Sequence, residues 1–308
     1  MKCFLGLFIA IMVFTMSLQS VYAEETIRHS LFIAGPNFTG ILDEDGNEHW
    51  KASRNAARDG FVLDNGHVLI AWNDEVKEFV PADNDKVVFH YRKSAANKEI
   101  GTVQRLPNGN TLITELGTEP RLMEVAPDGQ VALSFALIPE TDNAHMQTRM
   151  ARKLANGNYL VPHLLAFKVK EYDATGKVLR TLSTDLDSLG GRPAENWPFT
   201  AIRLDNGNTL VNLTHGNKTV EFDAEGKIVW QVSNDDFPKL KPFSDPCGAQ
   251  RLANGNTVIA SYAAKEGIKV FEVTRDKKIV WQYAGPYRAH ELQVLTTNGE
   301  KHTGTPLK

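Results

Sequence analysis

The chain alternates short apolar runs with polar turns in a repeating order. Five times an apolar run leads through Asn-Gly into a second apolar run: VLDNGHVLIA at 62–71, RLPNGNTLIT at 105–114, KLANGNYLVP at 153–162, RLDNGNTLVN at 203–212 and RLANGNTVIA at 251–260. A sixth copy, QVLTTNG at 293–299, carries the first half alone. Asn and Gly tolerate positive φ, so each copy reads as a strand, a hairpin turn and a second strand. The runs are short and β-branched with no 3.6-residue period, which argues against a helical repeat. One full unit can be followed through strands at 200–204, 209–213, 218–223 and 228–232. A second polar turn, of Asp-x-x-Gly character, precedes the last strand. That strand recurrently carries an aromatic (Trp50, Phe89, Phe135, Trp230, Trp281), most simply a packing residue between neighbouring units.

The six asparagines stand at 65, 108, 156, 206, 254 and 298, giving intervals of 43, 48, 50, 48 and 44. A period in the forties built from four short strands predicts a propeller blade. Five blades are continuous, beginning near Asp59, Gly101, Arg149, Phe199 and Cys247. Residues 29–34, 39–43 and 48–52 offer three strands without an inner one, and 290–295 offers the inner strand alone. Joined, they make a sixth blade and remove the free sheet edges. The expectation is an all-β, six-bladed propeller of four-stranded antiparallel blades, closed by pairing of N-terminal strands with a C-terminal strand.

Blade geometry puts the uniform Asn-Gly and Asp-x-x-Gly turns on one face and the long, varied connections on the other. Function is carried where loops diverge. Seven residues before Asn in the five full copies, at the loop end of the inner strand, stand Arg58, Gly101, Arg149, Phe199 and Cys247, and in the closing strand the register of Leu295 places His290 there. Seven after Asn stand Trp72, Glu115, His163, Leu213 and Ser261. The candidate ligand-binding set is Arg58, Trp72, Arg149, His163, Trp197, His215 and His290. Guanidiniums and imidazoles favour an anion, and flat aromatics favour a planar ligand. A small molecule or a protein partner on this face is the expectation.

Composition narrows the classes. The net charge is -3 with no basic run, which argues against a nucleic-acid partner. Lys2, the apolar run 4–16 and Val21-Tyr22-Ala23 read as a signal peptide over 1–23, followed by a single domain over 24–308. The expected mature protein is secreted or periplasmic, spans no membrane and is monomeric. Its one remaining thiol, Cys247, reads as buried and inert. The histidines His145, His163, His215 and His290 lack the short spacing of a metal site, and no metal or cofactor is assigned. No Gly-x-Ser-x-Gly elbow occurs. His290 and Glu291 are adjacent on a strand, so they point to opposite sides and do not pair. Catalytic residues are left unassigned; the alternative expectation is an enzyme at the same face, either a histidine-dependent group transferase or a lyase or hydrolase.

The grammar LDNGNTLVN at 204–212 followed by EFDAEGKIVW at 221–230 resembles the repeats of bacterial quinoprotein-like propellers, particularly the arylsulfotransferase-like group. The same order recurs over 252–281. The resemblance implies the propeller fold and two activities. One is dehydrogenation with pyrroloquinoline quinone, although this chain lacks that group's vicinal disulfide and has fewer blades. The other is sulfuryl transfer through a histidine held by other histidines and an arginine, for which His163, His215 and His290 are the available positions.

Overall fold

The computed structural model describes residues 26–308, and the signal-peptide reading of 1–23 lies outside them. Six antiparallel sheets stand around a central channel. Their strands, from the channel outward, are Asp59–Val62, Val68–Ala71, Glu75–Val80 and Lys86–Arg92 in the second blade, and Asn97–Arg105, Thr111–Gly117, Arg121–Val125 and Val131–Ala136 in the third. The fourth holds Arg152–Lys153, Tyr159–His163, Lys168–Tyr172 and Val178–Ser183. The fifth holds Pro198–Arg203, Thr209–Leu213, Lys218–Phe222 and Ile228–Ser233, and the sixth Pro246–Arg251, Thr257–Ser261, Val270–Val273 and Ile279–Tyr283.

The first blade is the expected composite. Glu291–Thr297 pairs antiparallel with His29–Ala34, with Ala34 opposite Glu291 and Phe32 opposite Gln293. Thr39–Leu42 and Glu48–Lys51 complete it outward. One element was not foreseen: the truncated sixth repeat turns at Asn298-Gly299 and adds a two-residue strand, Glu300–Lys301, on the inner edge. Inner strands also start off the expected positions. The third begins at Asn97 with register shifts, and the fourth shortens to Arg152–Lys153 because Met150 takes φ +35° just before it.

The repeated residues have two jobs. In the fifth blade Gly207 (φ +86°) closes the turn, Asn206 Oδ1 accepts from Asn208 N at 3.0 Å, and Asn208 Nδ2 reaches Glu221 Oε1 at 2.7 Å. Arg251 at the end of the next inner strand donates to the same Glu221, at 3.2 Å. Arg203 and Glu171 repeat the contact one blade earlier, at 3.0 Å. In these motifs the Arg of one blade and the second Asn of the preceding one thus fasten a buried carboxylate on the third strand across the blade boundary, with Lys153 in the Arg position of the third copy, an arrangement whose acid partner no fixed spacing announces. The recurring aromatics lie at the same boundaries: Phe135 stacks on Tyr172 of the following blade, and Trp281 meets the His29 ring edge-on.

Candidate functional site

The irregular face opens into a cavity of about 460 Å³ at the mouth of the channel. Its walls come from the connections between the outermost strand of one blade and the innermost of the next, and between the second and third strands of a blade. The ring of inner-strand starts forms the floor: Arg58, Arg149, Phe199, Cys247 and His290 all line it. Gly101, the sixth member, has no side chain to offer, and a Cβ there would meet Leu116 Cδ1 and Thr114 Oγ1 at 2.8 and 2.9 Å.

One side of the cavity is charged. Glu99 receives Arg58 Nη2 at 2.8 Å and Arg149 Nη2 at 3.0 Å. Burial by itself would raise the Glu99 pKa, but the hydrogen bond with His145 and the charges of Arg149 and Arg58 outweigh it and hold it at about 2. Arg149 is 1% exposed, and burial brings its guanidinium down to about 10, so it keeps its proton at neutral pH. The 3-10 turn Ala144–Met146 sets His145 above this pair, with Nδ1 2.9 Å from Arg149 Nη2 and 3.2 Å from Arg58 Nη1. The same Nδ1 lies 3.5 Å from Glu99 Oε2, so its tautomer decides its role: protonated it donates to the carboxylate, unprotonated it accepts from a guanidinium. Two cations share one carboxylate, leaving one positive charge in excess beside the cavity.

The other side is aromatic. Trp197 stacks on His215 at 4.2 Å, and His215 Nδ1 lies 3.4 Å from Asp245 Oδ1. His215 and Asp245 both take positive φ (+31° and +47°), conformations that non-glycine residues adopt at a cost. His290 sits between the edges of Phe199 and Tyr262, with ring centroids at 4.8 and 5.2 Å. Its Nδ1 lies 2.7 Å from the Arg58 carbonyl oxygen. A carbonyl only accepts, so the proton belongs on Nδ1. Burial, the largest cause, pulls the His290 pKa down to about 3. At neutral pH its Nε2 is therefore a bare acceptor. Cys247 is buried, and that burial pushes its thiol well above the ordinary range, which keeps it protonated and unreactive.

Five of the seven residues singled out in the sequence meet here: Arg58, Arg149, Trp197, His215 and His290. Trp72 and His163 do not line the cavity. Position seven after Asn lies on the second strand, one layer outward. There the Trp72 indole is buried between blades, donates to the Asn55 carbonyl at 3.0 Å and supports Arg54 5.5 Å above its ring. His163 is fully buried and shares a 2.9 Å hydrogen bond with the Tyr172 hydroxyl. Burial and nearby Lys170 drop its pKa to about 3. The sequence-derived set lacks Glu99 and Asp245, which fall on no repeated position, and also His145 and Tyr262, which stand on the loops. Among the described residues no group of three or more His, Cys, Asp or Glu is placed to hold a metal ion, and no helix is long and apolar enough to cross a membrane.

Residues 35–243 match the model of the Mal s 1 allergenic protein-like family. The chain belongs to that family. Among solved structures, a protein of unknown function from Bacteroides caccae is similar over 86% of this chain and 98% of its own, at 21% identity and a TM-score of 0.73. A catalytically inactive histidine-to-alanine variant of virginiamycin B lyase from Staphylococcus aureus, solved with quinupristin, is similar over 83% and 84% at 12% identity and a TM-score of 0.59. A streptogramin B lyase structure aligns over 85% of each chain at 12% identity and a TM-score of 0.58. At these identities the likeness concerns the fold. No curated protein matches the sequence. The family is a propeller family, as the repeats led one to expect, and the finer resemblance to quinoprotein or sulfotransferase repeats rests on the repeat grammar alone.

Proposed function

We propose that the protein is an extracytoplasmic propeller that binds a small, planar, anionic organic molecule in the loop-face cavity. The observation that carries this reading is the division of the cavity: Arg58 and Arg149 share the single carboxylate of Glu99 on one side, and Trp197, Phe199 and Tyr262 form the other. A carboxylate or sulfate satisfies the excess charge while its ring lies against the aromatic wall. Titration calorimetry of residues 24–308 with aromatic carboxylates and sulfates, against their neutral amide or alcohol counterparts, tests it. Anions are expected to bind and neutral counterparts to bind about tenfold more weakly or not at all, since a charge-assisted contact is worth about 1.5–3 kcal/mol. Arg58→Gln should erase the difference. Equal binding of charged and neutral ligands would refute the reading.

One observation favours catalysis at the same place. His290 presents an unprotonated Nε2 whose tautomer is fixed by the Arg58 carbonyl, the geometry a general base requires, and a bound anion would have to raise its pKa from about 3 for it to work efficiently as one. The lyase neighbours, one of them inactivated by loss of a histidine, and the repeat resemblance to histidine-dependent transferases support a histidine-based enzyme as the second reading. Arg58 and Arg149 would then stabilise negative charge developing on the substrate.

A further inference from the structure

The opposite end of the channel is filled by the chain itself. After Glu300–Lys301, residues 302–308 cross beneath the ring. His302 anchors the start, donating N–H to the Leu295 carbonyl at 2.9 Å and placing Nε2 2.7 Å from Thr297 Oγ1. Residues 303–305 are exposed. The segment then bonds once to the sixth blade, where Arg251 N donates to the Leu307 carbonyl at 2.9 Å. A groove of about 550 Å³ runs alongside it, lined by Gln250, Arg251, Leu204 and Gln293 with the segment as its other wall.

Lys308 ends this path inside the channel with a side chain that is 0% exposed. Its Nζ donates to the Gly60 carbonyl at 2.7 Å and lies 3.8 Å from Glu291 Oε1, 4.0 Å from Asp59 Oδ1 and 4.1 Å from the centre of the Phe61 ring. Its own carbonyl accepts from Arg152 Nε at 2.9 Å, and Arg152 grips Asp59 through both Nη atoms at 2.8 and 3.1 Å. A carbonyl oxygen, two carboxylates and an aromatic face around one nitrogen make an ammonium-recognition site. Its walls come from the first, second and fourth blades, whereas the ammonium is delivered by a strap with an exposed middle and few backbone bonds. Glu291 Oε2 is buried without a hydrogen-bond partner, so an occupant bringing one more donor has an acceptor waiting.

We propose that this end of the channel is a binding site for a lysine-bearing peptide segment, occupied in cis by residues 302–308. Tethering gives the resident segment an effective concentration in the millimolar range, so a free peptide of the same kind enters when the segment withdraws. This reading is independent of the ligand assigned to the loop-face cavity.

The test uses the chain lacking residues 302–308 and a synthetic peptide, His-Thr-Gly-Thr-Pro-Leu-Lys, labelled at its amino end and followed by fluorescence anisotropy. The shortened chain should bind one equivalent, a peptide with Ala in place of Lys should bind at least about tenfold more weakly, and the intact chain at least about a hundredfold more weakly. A folded shortened chain that ignores the peptide, or binds the Ala peptide equally, overturns the proposal. If shortening prevents folding, Lys308→Met in the full chain answers the same question by hydrogen exchange. The Arg251 amide should exchange at least about tenfold faster while Val211, in the fifth blade, keeps its protection. An unchanged Arg251 rate then overturns it.

Discussion

Replacing Glu99 by Gln removes the negative charge that Arg58 and Arg149 share and leaves the size of the side chain almost unchanged. Arg149 has no access to water to compensate, because it is 1% exposed and its Nε already lacks a partner. Two routes give the magnitude. Breaking a buried pair by removing one partner costs about 3–5 kcal/mol. Linkage gives a similar figure: the Glu99 carboxyl falls from 4.5 to about 2, and at about 1.36 kcal/mol per pH unit that is roughly 3 kcal/mol. The sign follows from the depressed folded-state pKa. The stabilisation is complete above the unfolded value near 4.5 and is lost as pH falls through about 2. Urea unfolding of the wild type and Glu99→Gln should therefore differ by roughly 3 kcal/mol at pH 7 and converge as pH falls from about 4.5 to about 2. Adding Arg149→Met should restore part of the loss, since the remaining Arg58 reaches solvent. A pH 7 difference below about 1 kcal/mol, or two profiles that stay parallel into acid, would show that the three groups are not an energetic unit.

Two further outcomes follow from the same geometry. A folded-state pKa of about 3 for His163 means its stabilising effect is whole above 6.5 and is lost on acidification toward 3, so His163→Gln should flatten the pH dependence of unfolding across that window by up to about 1.4 kcal/mol per pH unit; an unchanged slope would place a charged imidazole in the core. Gly248→Ala should destabilise by about 1–3 kcal/mol, because the new Cβ would stand 2.7 Å from Glu291 Oε1 and 2.8 Å from Glu291 Cα. Gly207→Ala, with nothing within 4 Å, should lose only about 1 kcal/mol through its φ of +86°, and equal losses in thermal or denaturant melts would discount the packing argument.

The fold was legible because its signals are local. Asn-Gly sets each hairpin, and the interval between copies counts the blades. Closure was legible for the same reason, since a missing inner strand at one end and a spare one at the other leave a single way to complete the ring. The site was legible only where it follows the repeat. Counting back seven residues from Asn found Arg58 and Arg149, and the register of Leu295 found His290, because that position leads into the innermost strand, at the mouth of the channel. Counting forward seven found Trp72 and His163, which stand at the end of the second strand and are enclosed between blades. Glu99 escaped because it lies two residues before Gly101, on an inner strand that begins earlier than its neighbours. Asp245 escaped because its role depends on a loop bringing it to His215. The passage of residues 302–308 beneath the channel has no sequence signature at all, since it depends on Lys308 finding carboxylates from two blades.

The inner ring also explains how one symmetric scaffold acquires a two-sided cavity. Each blade has one position at the floor, and five of the six fill it with a side chain, so the character of the site is set by six positions. The second and fourth blades deliver Arg58 and Arg149, and the third delivers nothing, because Gly101 has Leu116 and Thr114 where its Cβ would be. That vacancy is what lets both arginines meet over one carboxylate: Glu99, from the same third blade, occupies the ground between them. The fifth, sixth and first blades deliver Phe199, Cys247 and His290, none of them charged at neutral pH, and loop residues Trp197 and Tyr262 extend their surface. Polarity is thus divided by sector of the ring, without any break in the sheets that carry it. A ligand that fits must be divided in the same way, with its charge over the second to fourth blades and its flat part over the fifth, sixth and first. On the proposed reading, exchange of ring residues among those six positions would reverse the orientation of a bound anion while the blade contacts through Glu171 and Glu221, on the other face, stayed as they are.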